Sequence, residues 1–591
     1  MKKMLLSGDE AVARGAWEAG CLVAAAYPGT PSTEILETIA EHCADIDSRW
    51  AANEKVALEV AGGASVGGVR ALAAMKHVGL NVAADPLLTL AYTGVRGGLV
   101  VVSADDPGCH SSQNEQDNRH YAVLAKILML EPADSQECLD YTKAAFELSE
   151  RFDTPVLLRL TTRVCHSKGL VRVGQRGQAP VKTYEREVRK FAMLPAFARM
   201  RHAEVESKLI NLEEFASRSA YNRIEWGDGK KVGVITSGVA YQHAREAFGE
   251  DVSYLKLGLT HPLPKKLIAT FARSVDKLWI VEEGDPYLET AVRAMGFDCL
   301  GKELLPILGE LDAGILRRAF LPEKVEKTLV SSLLPPPRPP VLCAGCPHRG
   351  FLHVLGQKKK DLVACGDIGC YTLGIQPPLE GMDTCICMGA GFSAAIGLSA
   401  AFKAAGDQRK VFGILGDSTF FHSGLTGLVD AVHSQADICL VILDNSITAM
   451  TGHQENPGTV RDLMGRQTPA LDIGSVVKGL GVREDRLAII DPLDREACLA
   501  AVEEAVARQG LSVIITRRPC VLIKEVRGTF KNKCRVDVDK CKKCKMCLKV
   551  GCPAISFVDG HSHIDQTSCL GCEYCLQVCK FDAIEVKEAS K

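Results

Sequence analysis

Two cysteine groups near the end of the chain restrict how its last segment can fold. Eight of the 24 cysteines fall between Cys541 and Cys579. The first group reads Cys-x2-Cys-x2-Cys-x4-Cys-Pro from Cys541, and the second reads Cys-x2-Cys-x2-Cys-x3-Cys from Cys569. A cubane iron–sulfur cluster needs four thiolates, and Cys-x2-Cys-x2-Cys supplies three of them from one tight loop. The spacing therefore indicates metal clusters rather than disulfides.

In two-cluster ferredoxins, each cluster takes its fourth ligand from the other group. We therefore expect two [4Fe–4S] clusters, one on Cys541, Cys544, Cys547 and Cys579, and the other on Cys569, Cys572, Cys575 and Cys552. The segment 534–591 resembles bacterial-type two-cluster ferredoxins. It departs from them by one extra residue before Cys552 and by Lys580, where a proline usually stands.

The alternative for these cysteines is a pair of structural zinc sites. Zinc motifs usually place their Cys-x2-Cys pairs farther apart than these groups do. Cys534 precedes the first group and is left over, so we expect that it is not a ligand.

The overall composition is that of an ordinary globular protein. The formal net charge is −2, and no basic stripe indicates a nucleic-acid partner. The apolar start at Met1–Leu6 stops at Ser7, which is too early for the core of a signal peptide. No apolar run is long enough to cross a membrane. We therefore expect a cytoplasmic protein without a membrane span.

Short apolar runs alternate with helical segments along most of the chain. Buried strands are predicted at 99–103, 155–160, 232–235 and 278–281. Their alternation with helices indicates parallel sheets of the α/β class. The charged stretch 183–225 is predicted to form linking helices. The proline run Pro335–Pro340 is stiff and extended, as is typical of a domain boundary.

Two further predicted strands end in polar residues that suit magnesium. Residues 411–415 lead into Gly416-Asp417-Ser418, and residues 438–443 lead into Asp444-Asn445. Ligands bind at the carboxyl edge of parallel sheets, and Mg²⁺ prefers oxygen ligands. Asp417, the Asn445 amide and a nearby backbone carbonyl would form such a site. An ordinary turn at Gly416-Asp417 is the alternative.

This pattern resembles the thiamine-diphosphate motif, in which Gly-Asp-Gly is followed by an asparagine downstream. Ser418 replaces the last glycine here. The resemblance implies thiamine diphosphate held together with Mg²⁺. It also implies that the Ile447 carbonyl is the third protein ligand of the metal and that Gly389, Gly416 and Ser418 contact the cofactor.

A thiamine enzyme also needs a carboxylate against the aminopyrimidine ring of its cofactor. This carboxylate promotes the tautomer that generates the reactive carbanion. Glu54 is the candidate, because it precedes the small-residue stretch 60–64 and fits a family pattern in which this glutamate opens a helix. A solvated surface glutamate is the alternative.

The segment Tyr27–Glu34 resembles the substrate-facing loop of pyruvate:ferredoxin oxidoreductase. Thr30 matches the threonine that approaches the substrate carboxylate in that enzyme. Ser32 or Thr33 could cap the helix that follows, and this role is compatible with a substrate-facing loop.

Together these features resemble the 2-oxoacid:ferredoxin oxidoreductase family, in its indolepyruvate type, over nearly the whole chain. The strings Asp105–Asp117 and Gly366–Gly374 agree with it. The resemblance implies five parts: a pyrimidine-binding domain at 1–182, a helical linker at 183–228, a transketolase-C-terminal-like domain at 229–334, a pyrophosphate- and magnesium-binding domain at 341–525, and a two-cluster ferredoxin-like domain at 533–591.

The resemblance also implies an activity and partners. The activity is the anaerobic, coenzyme A-dependent oxidative decarboxylation of an arylpyruvate such as indolepyruvate. It proceeds through a thiamine diphosphate carbanion and an iron–sulfur relay to external ferredoxin. The gamma-type domain of the family is absent from this sequence. A smaller gamma-type subunit is therefore expected to supply it, in a heterodimer or a heterotetramer.

Other functions fit parts of the sequence. The same chemistry on pyruvate or another 2-oxoacid is the alternative that is hardest to separate. A non-oxidative thiamine-dependent decarboxylase has no use for the cysteine groups. A pure electron-transfer subunit has no use for Glu54, Asp417 and Asn445.

A third [4Fe–4S] cluster is suggested by cysteines in the predicted pyrophosphate domain. Related enzymes carry a cluster beside thiamine, and its ligands follow a similar order along the chain. The matching residues here are Cys343, Cys346, Cys370 and Cys520. Buried small hydrophobic residues or a redox pair are the alternatives. Cys365, Cys385 and Cys387 compete as candidates.

Overall fold

A computed structural model describes residues 2–228, 231–325, 333–336, 338–527, 529–530 and 532–587. The chain divides into two compact units, Met1–Ser331 and Ser332–Lys591. The division falls just before the proline run at 335–340, of which Pro337 lies outside the described residues.

The first unit alternates strands and helices. Its strands are β1 Lys2–Leu6, β2 Val23–Ala26, β3 Asp47–Trp50, β4 Ala71–Lys76, β5 Leu99–Asp105, β6 Leu128–Leu130, β7 Val156–Thr161, β8 Gly169–Val173, β9 Arg223–Glu225, β10 Val232–Ser237, β11 Ser253–Leu257, β12 Leu259–His261 and β13 Lys277–Val281. Its helices are α1 Gly8–Glu18, α2 Thr33–His42, α3 Glu54–Val66, α4 His77–Val82, α5 Ala84–Thr93, α6 Arg119–Ala125, α7 Ser135–Phe152, α8 Thr162–His166, α9 Val188–Phe191, α10 Pro195–Ala216, α11 Gly238–Phe248, α12 Lys265–Ala272, α13 Tyr287–Ala294 and α14 Ala313–Phe320.

A seven-stranded sheet forms the centre of this unit, in the order β12-β6-β7-β5-β4-β2-β3. Six of its strands are parallel, and β12 joins the edge antiparallel to β6. Every residue of β5 and β7 is buried, as expected for apolar runs covered by helices on both faces. A second sheet has the order β13-β10-β11-β9 and shares one apolar core with the first. Because β2 and β4 are parallel neighbours in the seven-stranded sheet, they end side by side.

The second unit begins with a further parallel sheet. Its strands are β14 Leu362–Gly366, β15 Thr384–Cys385, β16 Lys410–Gly416, β17 Ile438–Asp444, β18 Leu487–Ile490, β19 Ser512–Arg517, β20 Lys533–Val536, β21 Ile555–Val558, β22 His561–Ile564 and β23 Ile584–Lys587. Its helices are α15 His348–Gln357, α16 Ala390–Ala405, α17 Asp417–Thr419, α18 Leu425–His433, α19 Ile473–Gly479, α20 Arg495–Ala507 and α21 Lys524–Arg527.

The sheet order β15-β14-β16-β17-β19-β18 is parallel throughout. Gly416 at the end of β16 pairs with Leu443 near the end of β17. The predicted α/β class with parallel sheets is confirmed. The adjacent ends of β16 and β17 bring Asp417 and Asn445 to the same edge.

The cysteine-rich segment 533–587, which we call the cysteine module, packs on this sheet domain through α15. Tyr574 donates its hydroxyl to the Gly350 carbonyl at 3.1 Å and contacts His353 Nδ1 at 3.0 Å. The Arg349 guanidinium donates to the Val550 carbonyl at 3.1 Å. Two small antiparallel sheets of two strands each, β20–β23 and β21–β22, complete the module. The module is therefore anchored within the second unit by buried hydrogen bonds.

Candidate functional site

Three oxygen atoms converge at the carboxyl edge of the second unit's sheet. The Asn445 amide oxygen lies 2.6 Å from the Ile447 carbonyl oxygen and 3.2 Å from Asp417 Oδ1, and it accepts a long hydrogen bond from the Ile447 N–H at 3.3 Å. Rotating the amide would replace these contacts with two hydrogen bonds. A cation between the oxygens removes the same repulsion without any rotation.

The neighbouring His348 is compatible with the orientation that places the Asn445 oxygen inward. Burial lowers the pKa of His348 to about 4, so its imidazole is neutral at physiological pH. A neutral imidazole nitrogen accepts a hydrogen bond, and Asn445 Nδ2 lies 3.2 Å from His348 Nε2. With Nε2 unprotonated, this contact directs the amide oxygen of Asn445 towards Asp417, whereas the other tautomer would donate to the oxygen of the rotated amide.

The carboxylate of Asp417 is buried and poorly compensated. Burial raises its pKa to about 7, and the nearby charge of Asp444 adds to the rise. Asn456 Nδ2 donates to Oδ2 at 3.3 Å. A buried carboxylate without a cation is costly, so this donor set of carboxylate, amide and carbonyl oxygens fits Mg²⁺.

The predicted cofactor residues Gly389, Gly416 and Ser418 surround this edge. Gly389 has a φ of +88°, and a Cβ there would lie 2.0 Å from Ser423 Oγ, so only glycine fits. Ser418, which replaces the motif's last glycine, accepts a hydrogen bond from Thr448 Oγ1 at 2.9 Å. Its hydroxyl is held by the protein.

Asp367 is a residue of this edge that sequence reasoning missed. Its Oδ1 accepts from the Gly389 N–H at 2.6 Å, and its Oδ2 accepts from the Tyr371 hydroxyl at 2.8 Å. The same hydroxyl accepts from the Gly416 N–H at 2.8 Å. Burial raises the pKa of Asp367 to about 6. Asp367 thus ties two predicted cofactor loops to β14.

In the first unit, Glu54 is the first residue of α3 and is buried, with 5% of its surface exposed. Asn53 caps this helix by accepting from the Val56 N–H at 2.9 Å. A Cβ on Gly79 would lie 2.7 Å from Glu54 Oε1, so the glycine lets α4 approach the carboxylate closely. The alternative of a solvated glutamate does not fit this burial.

Lys76 connects Glu54 with the Thr30 loop. It ends β4, interacts electrostatically with Glu54, and donates Nζ to the Ser111 carbonyl at 2.9 Å. Ser111 Oγ in turn donates to the Thr30 carbonyl at 3.4 Å. Burial lowers the pKa of Lys76. Sequence reasoning missed this lysine, although a charged residue that ends an apolar strand at the carboxyl edge is a signal.

Neither of the two hydroxyl groups suggested as a cap for α2, Ser32 or Thr33, forms a capping bond among the described residues. Ser32 stands before α2, but its hydroxyl makes no capping bond and instead donates to the Gly29 carbonyl at 3.0 Å. The Thr33 hydroxyl is buried without a partner among the described residues. The loop is stabilised internally, since Ser32 closes the Gly29-Thr30-Pro31 turn.

The cysteines of the C-terminal module line two separate cavities. Cys541, Cys544, Cys547 and Cys579 line one, which we call the outer cavity. The other, the inner cavity, is lined by Cys552, Cys569, Cys572 and Cys575, and also by Cys346 and Cys534. These sets match the predicted ligand sets. Cys534, expected not to be a ligand, contacts Cys569 and Cys575.

The cysteines suggested for a third cluster also lie near one another. Burial raises the pKa of Cys370 to about 11, and the neighbouring thiols of Cys520 and Cys343 add to the rise. Burial also raises the pKa of Cys346, and the neighbouring thiols of Cys370 and Cys343 add to this rise. The Cys520 N–H donates to the Asn445 carbonyl at 2.9 Å. This group therefore adjoins the Asp417–Asn445 edge, and Cys346 also reaches the inner cavity.

Three family descriptions match successive parts of the chain. Residues 14–226 match the thiamine diphosphate-binding part of pyruvate flavodoxin/ferredoxin oxidoreductase. Residues 367–516 match the C-terminal TPP-binding domain of thiamine pyrophosphate enzymes, and residues 562–585 match a 4Fe-4S binding domain.

Curated relatives match the chain over nearly its whole length. The indolepyruvate oxidoreductase subunit IorA of Methanothermobacter marburgensis is 43% identical, over 99% of this chain and 97% of that protein. The chain belongs to the IorA family. The IorA of Archaeoglobus fulgidus is 41% identical, with the same coverage of both chains. A solved 2-oxoglutarate:ferredoxin oxidoreductase from Magnetococcus marinus matches at a TM-score of 0.43 and 20% identity, over 51% of this chain and 61% of that one, which adds nothing to the sequence match.

Membership of the IorA family assigns the bound groups. This IorA-family chain binds thiamine diphosphate and carries [4Fe–4S] clusters. It works as a subunit of a larger oxidoreductase. Within the part of the chain that the structure describes, no helix has the length and apolar character needed to cross a membrane.

Proposed function

We propose that this IorA-family chain catalyses the coenzyme A-dependent oxidative decarboxylation of arylpyruvates, with indolepyruvate preferred and ferredoxin as electron acceptor. The substrate class comes from the name of the curated relatives. The match with this chain covers 97% of the length of each of these relatives. The observation that carries the reaction class is the combination of thiamine and 4Fe-4S matches in one chain. Pyruvate or another 2-oxoacid is the alternative substrate.

Thiamine diphosphate supplies a nucleophilic carbon and an electron sink when it is bound. Asp417, the Asn445 amide oxygen and the Ile447 carbonyl would hold Mg²⁺ against its diphosphate, which the three converging oxygens support. Asp367 and Tyr371 accept hydrogen bonds from the backbone N–H groups of Gly389 and Gly416, and would thereby hold the two glycine loops in place beside the diphosphate. Glu54 would supply a buried carboxyl group for proton transfer, as general acid–base work requires.

The Thr30 loop and Lys76 would receive the anionic end of the substrate. A 2-oxoacid carries a carboxylate beside the reacting carbon, and a half-buried ammonium group attracts it more strongly than a solvated one. Lys76 contacts Ser111, which in turn contacts Thr30, so the three form one connected surface. These contacts support the substrate-facing role that the family resemblance implies for Thr30, and they add Lys76 as a second residue of the same surface.

A smaller gamma-type subunit would complete the enzyme, and the compartment would be the cytoplasm. The non-oxidative decarboxylase remains disfavoured, because two cysteine-lined cavities have no role in such an enzyme. Mass spectrometry of the acyl-coenzyme A made by the purified complex from indolepyruvate tests the substrate class. Indoleacetyl-coenzyme A is the expected product.

A third [4Fe–4S] cluster on Cys343, Cys346, Cys370 and Cys520 is part of this proposal. The position of these cysteines supports it, because Cys520 adjoins Asn445 and Cys346 lines the inner cavity. A cluster between these two sites would shorten the first electron transfer. We expect about twelve irons per chain, by the ligand count of three cubane clusters. Iron analysis and EPR of anaerobically purified protein test this number.

The matched variant is Cys343→Ala/Cys346→Ala, which should lose about four irons and slow substrate-driven reduction of the remaining clusters. Cys439→Ala is the control, because Cys439 is a buried thiol on β17 away from the proposed ligands. Eight irons in the wild type, all retained by the double variant with normal reduction, would show that these cysteines are structural.

A further inference from the structure

A run of lysines lies in and beside the loop that lines the outer cavity, and Lys542 itself lines the cavity. The ten residues 540–549 contain five lysines and no acidic residue, in a chain with a net charge of −2. All five are exposed: Lys540, Lys542, Lys543, Lys545 and Lys549. We call these five residues the lysine patch. Within the part of the chain that the structure describes, neither Lys542 nor Lys543 forms an ion pair, so their charge is available to a partner.

The inner cavity's loop differs in charge although its cysteine spacing is the same. Where the outer loop has Lys542, Lys543 and Lys545, the inner loop has Leu570, Gly571 and Glu573. Gly571 is packed so closely that a Cβ would lie 1.7 Å from the Asn532 carbonyl oxygen. The inner loop is thus shaped by packing, whereas the outer loop carries cations towards solvent.

Lys543 occupies a backbone conformation that glycine adopts more easily. Its φ is +59°, and its counterpart Gly571 has a φ of +79°. A non-glycine residue in the left-handed region is strained. A glycine would therefore suit this position better, so the local backbone conformation does not account for the lysine.

The two cavities also differ in their access to solvent. The outer set has one exposed cysteine, Cys544, and one buried cysteine, Cys547, whereas the inner set has two buried cysteines, Cys569 and Cys575, and none that is exposed. Tyr574, in the inner loop, is 1% exposed and is hydrogen-bonded to α15. The inner cluster therefore faces the sheet domain, and the outer cluster is the one that an external protein can approach.

We propose that the lysine patch is the docking surface for an acidic one-electron carrier protein of the ferredoxin type, which takes electrons from the outer cluster. The proposal rests on the proposed function above, which releases two electrons for each 2-oxoacid oxidised. Each docking event oxidises the outer cluster by one electron and reduces the carrier by one. Two carriers are consumed per carbon dioxide and acyl-coenzyme A formed, with release of one proton. Opposite charges at such a surface raise the association rate and orient the partner.

The variant Lys542→Glu/Lys543→Glu in the complete complex tests the proposal. We expect kcat/KM for an acidic [4Fe–4S] ferredoxin to fall at least about 10-fold at low ionic strength. The difference from wild type should shrink as salt screens the charges. Reduction of methyl viologen, a small dication, should be unchanged or faster. Lys542→Arg/Lys543→Arg should behave as wild type.

The matched control is Lys360→Glu/Lys403→Glu, which makes the same change in net charge at exposed sites of the sheet domain. It should leave ferredoxin kinetics unchanged. If Lys542→Glu/Lys543→Glu lowers the iron content, Lys540→Glu/Lys549→Glu repeats the test outside the ligand loop. Ferredoxin kinetics within twofold of wild type, with intact viologen reduction, would overturn the docking surface and leave the proposed function standing. No viologen reduction by the wild type with any 2-oxoacid would instead overturn the proposed function.

Discussion

Glu54→Gln is expected to lower turnover by about 10² to 10⁴-fold while thiamine diphosphate still binds. The amide keeps the size of the side chain at a position that is only 5% exposed, so packing against Gly79 is retained. It cannot exchange a proton as the carboxyl group does. The measurements are kcat with indolepyruvate and cofactor content by thiochrome fluorescence. Hydrogen–deuterium exchange at the thiazolium carbon, followed by NMR, should slow in parallel.

Glu59→Gln is the matched control for this variant. Glu59 lies on the same helix, is half-exposed, and pairs with Lys55 on the surface. A surface change of this kind alters stability by about 0.5 kcal/mol or less, so turnover should stay normal. Near-normal turnover of Glu54→Gln itself would remove Glu54 from the catalytic role.

Asp417→Ala is expected to lose both Mg²⁺ and thiamine diphosphate. The substitution removes the only carboxylate among the three converging oxygens. Loss of groups that merely orient a metal ligand weakens metal binding about 10- to 100-fold, so loss of a direct ligand should exceed that. The measurement is the cofactor retained after gel filtration in magnesium buffer. Full retention would mean that Asp417 is a turn residue.

Asp417→Asn separates metal binding from folding. Burial raises the pKa of Asp417 to about 7, which means that the ionised form is disfavoured in the folded protein without a cation. The neutral amide should therefore raise the thermal stability of the cofactor-free protein above pH 7 and still lose the cofactor. Asp430→Ala, at an exposed position on α18, is the control and should retain the cofactor.

The two strand ends of the second unit could be predicted from sequence because the signal is local. A buried apolar run followed by Gly-Asp or Asp-Asn marks the end of a strand, and neighbouring parallel strands end at one edge. The cysteine groups were predictable for the same reason, because their spacing alone determines which thiols can share a loop. In both cases the residues that matter lie within one or two adjacent elements.

Lys76 and Asp367 could not be assigned from sequence, because their roles depend on strand order. Lys76 meets the Thr30 loop only because β4 lies beside β2 in the sheet. Asp367 reaches Gly389 and, through Tyr371, Gly416 only because β14 lies beside β16. Each residue follows or ends a buried strand, but nothing local indicates which distant loop it will contact. The anchoring of the cysteine module on α15 depends in the same way on long-range hydrogen bonds.

The most direct test of the account is ferredoxin reduction by the anaerobically purified complex, with coenzyme A and a panel of indolepyruvate, phenylpyruvate, 2-oxoisovalerate and pyruvate. The highest kcat/KM is expected with indolepyruvate, with two reduced ferredoxins per carbon dioxide released. No activity is expected from this chain without its smaller subunit. Release of carbon dioxide and an aldehyde, with neither ferredoxin nor viologen reduced by any 2-oxoacid, would contradict it.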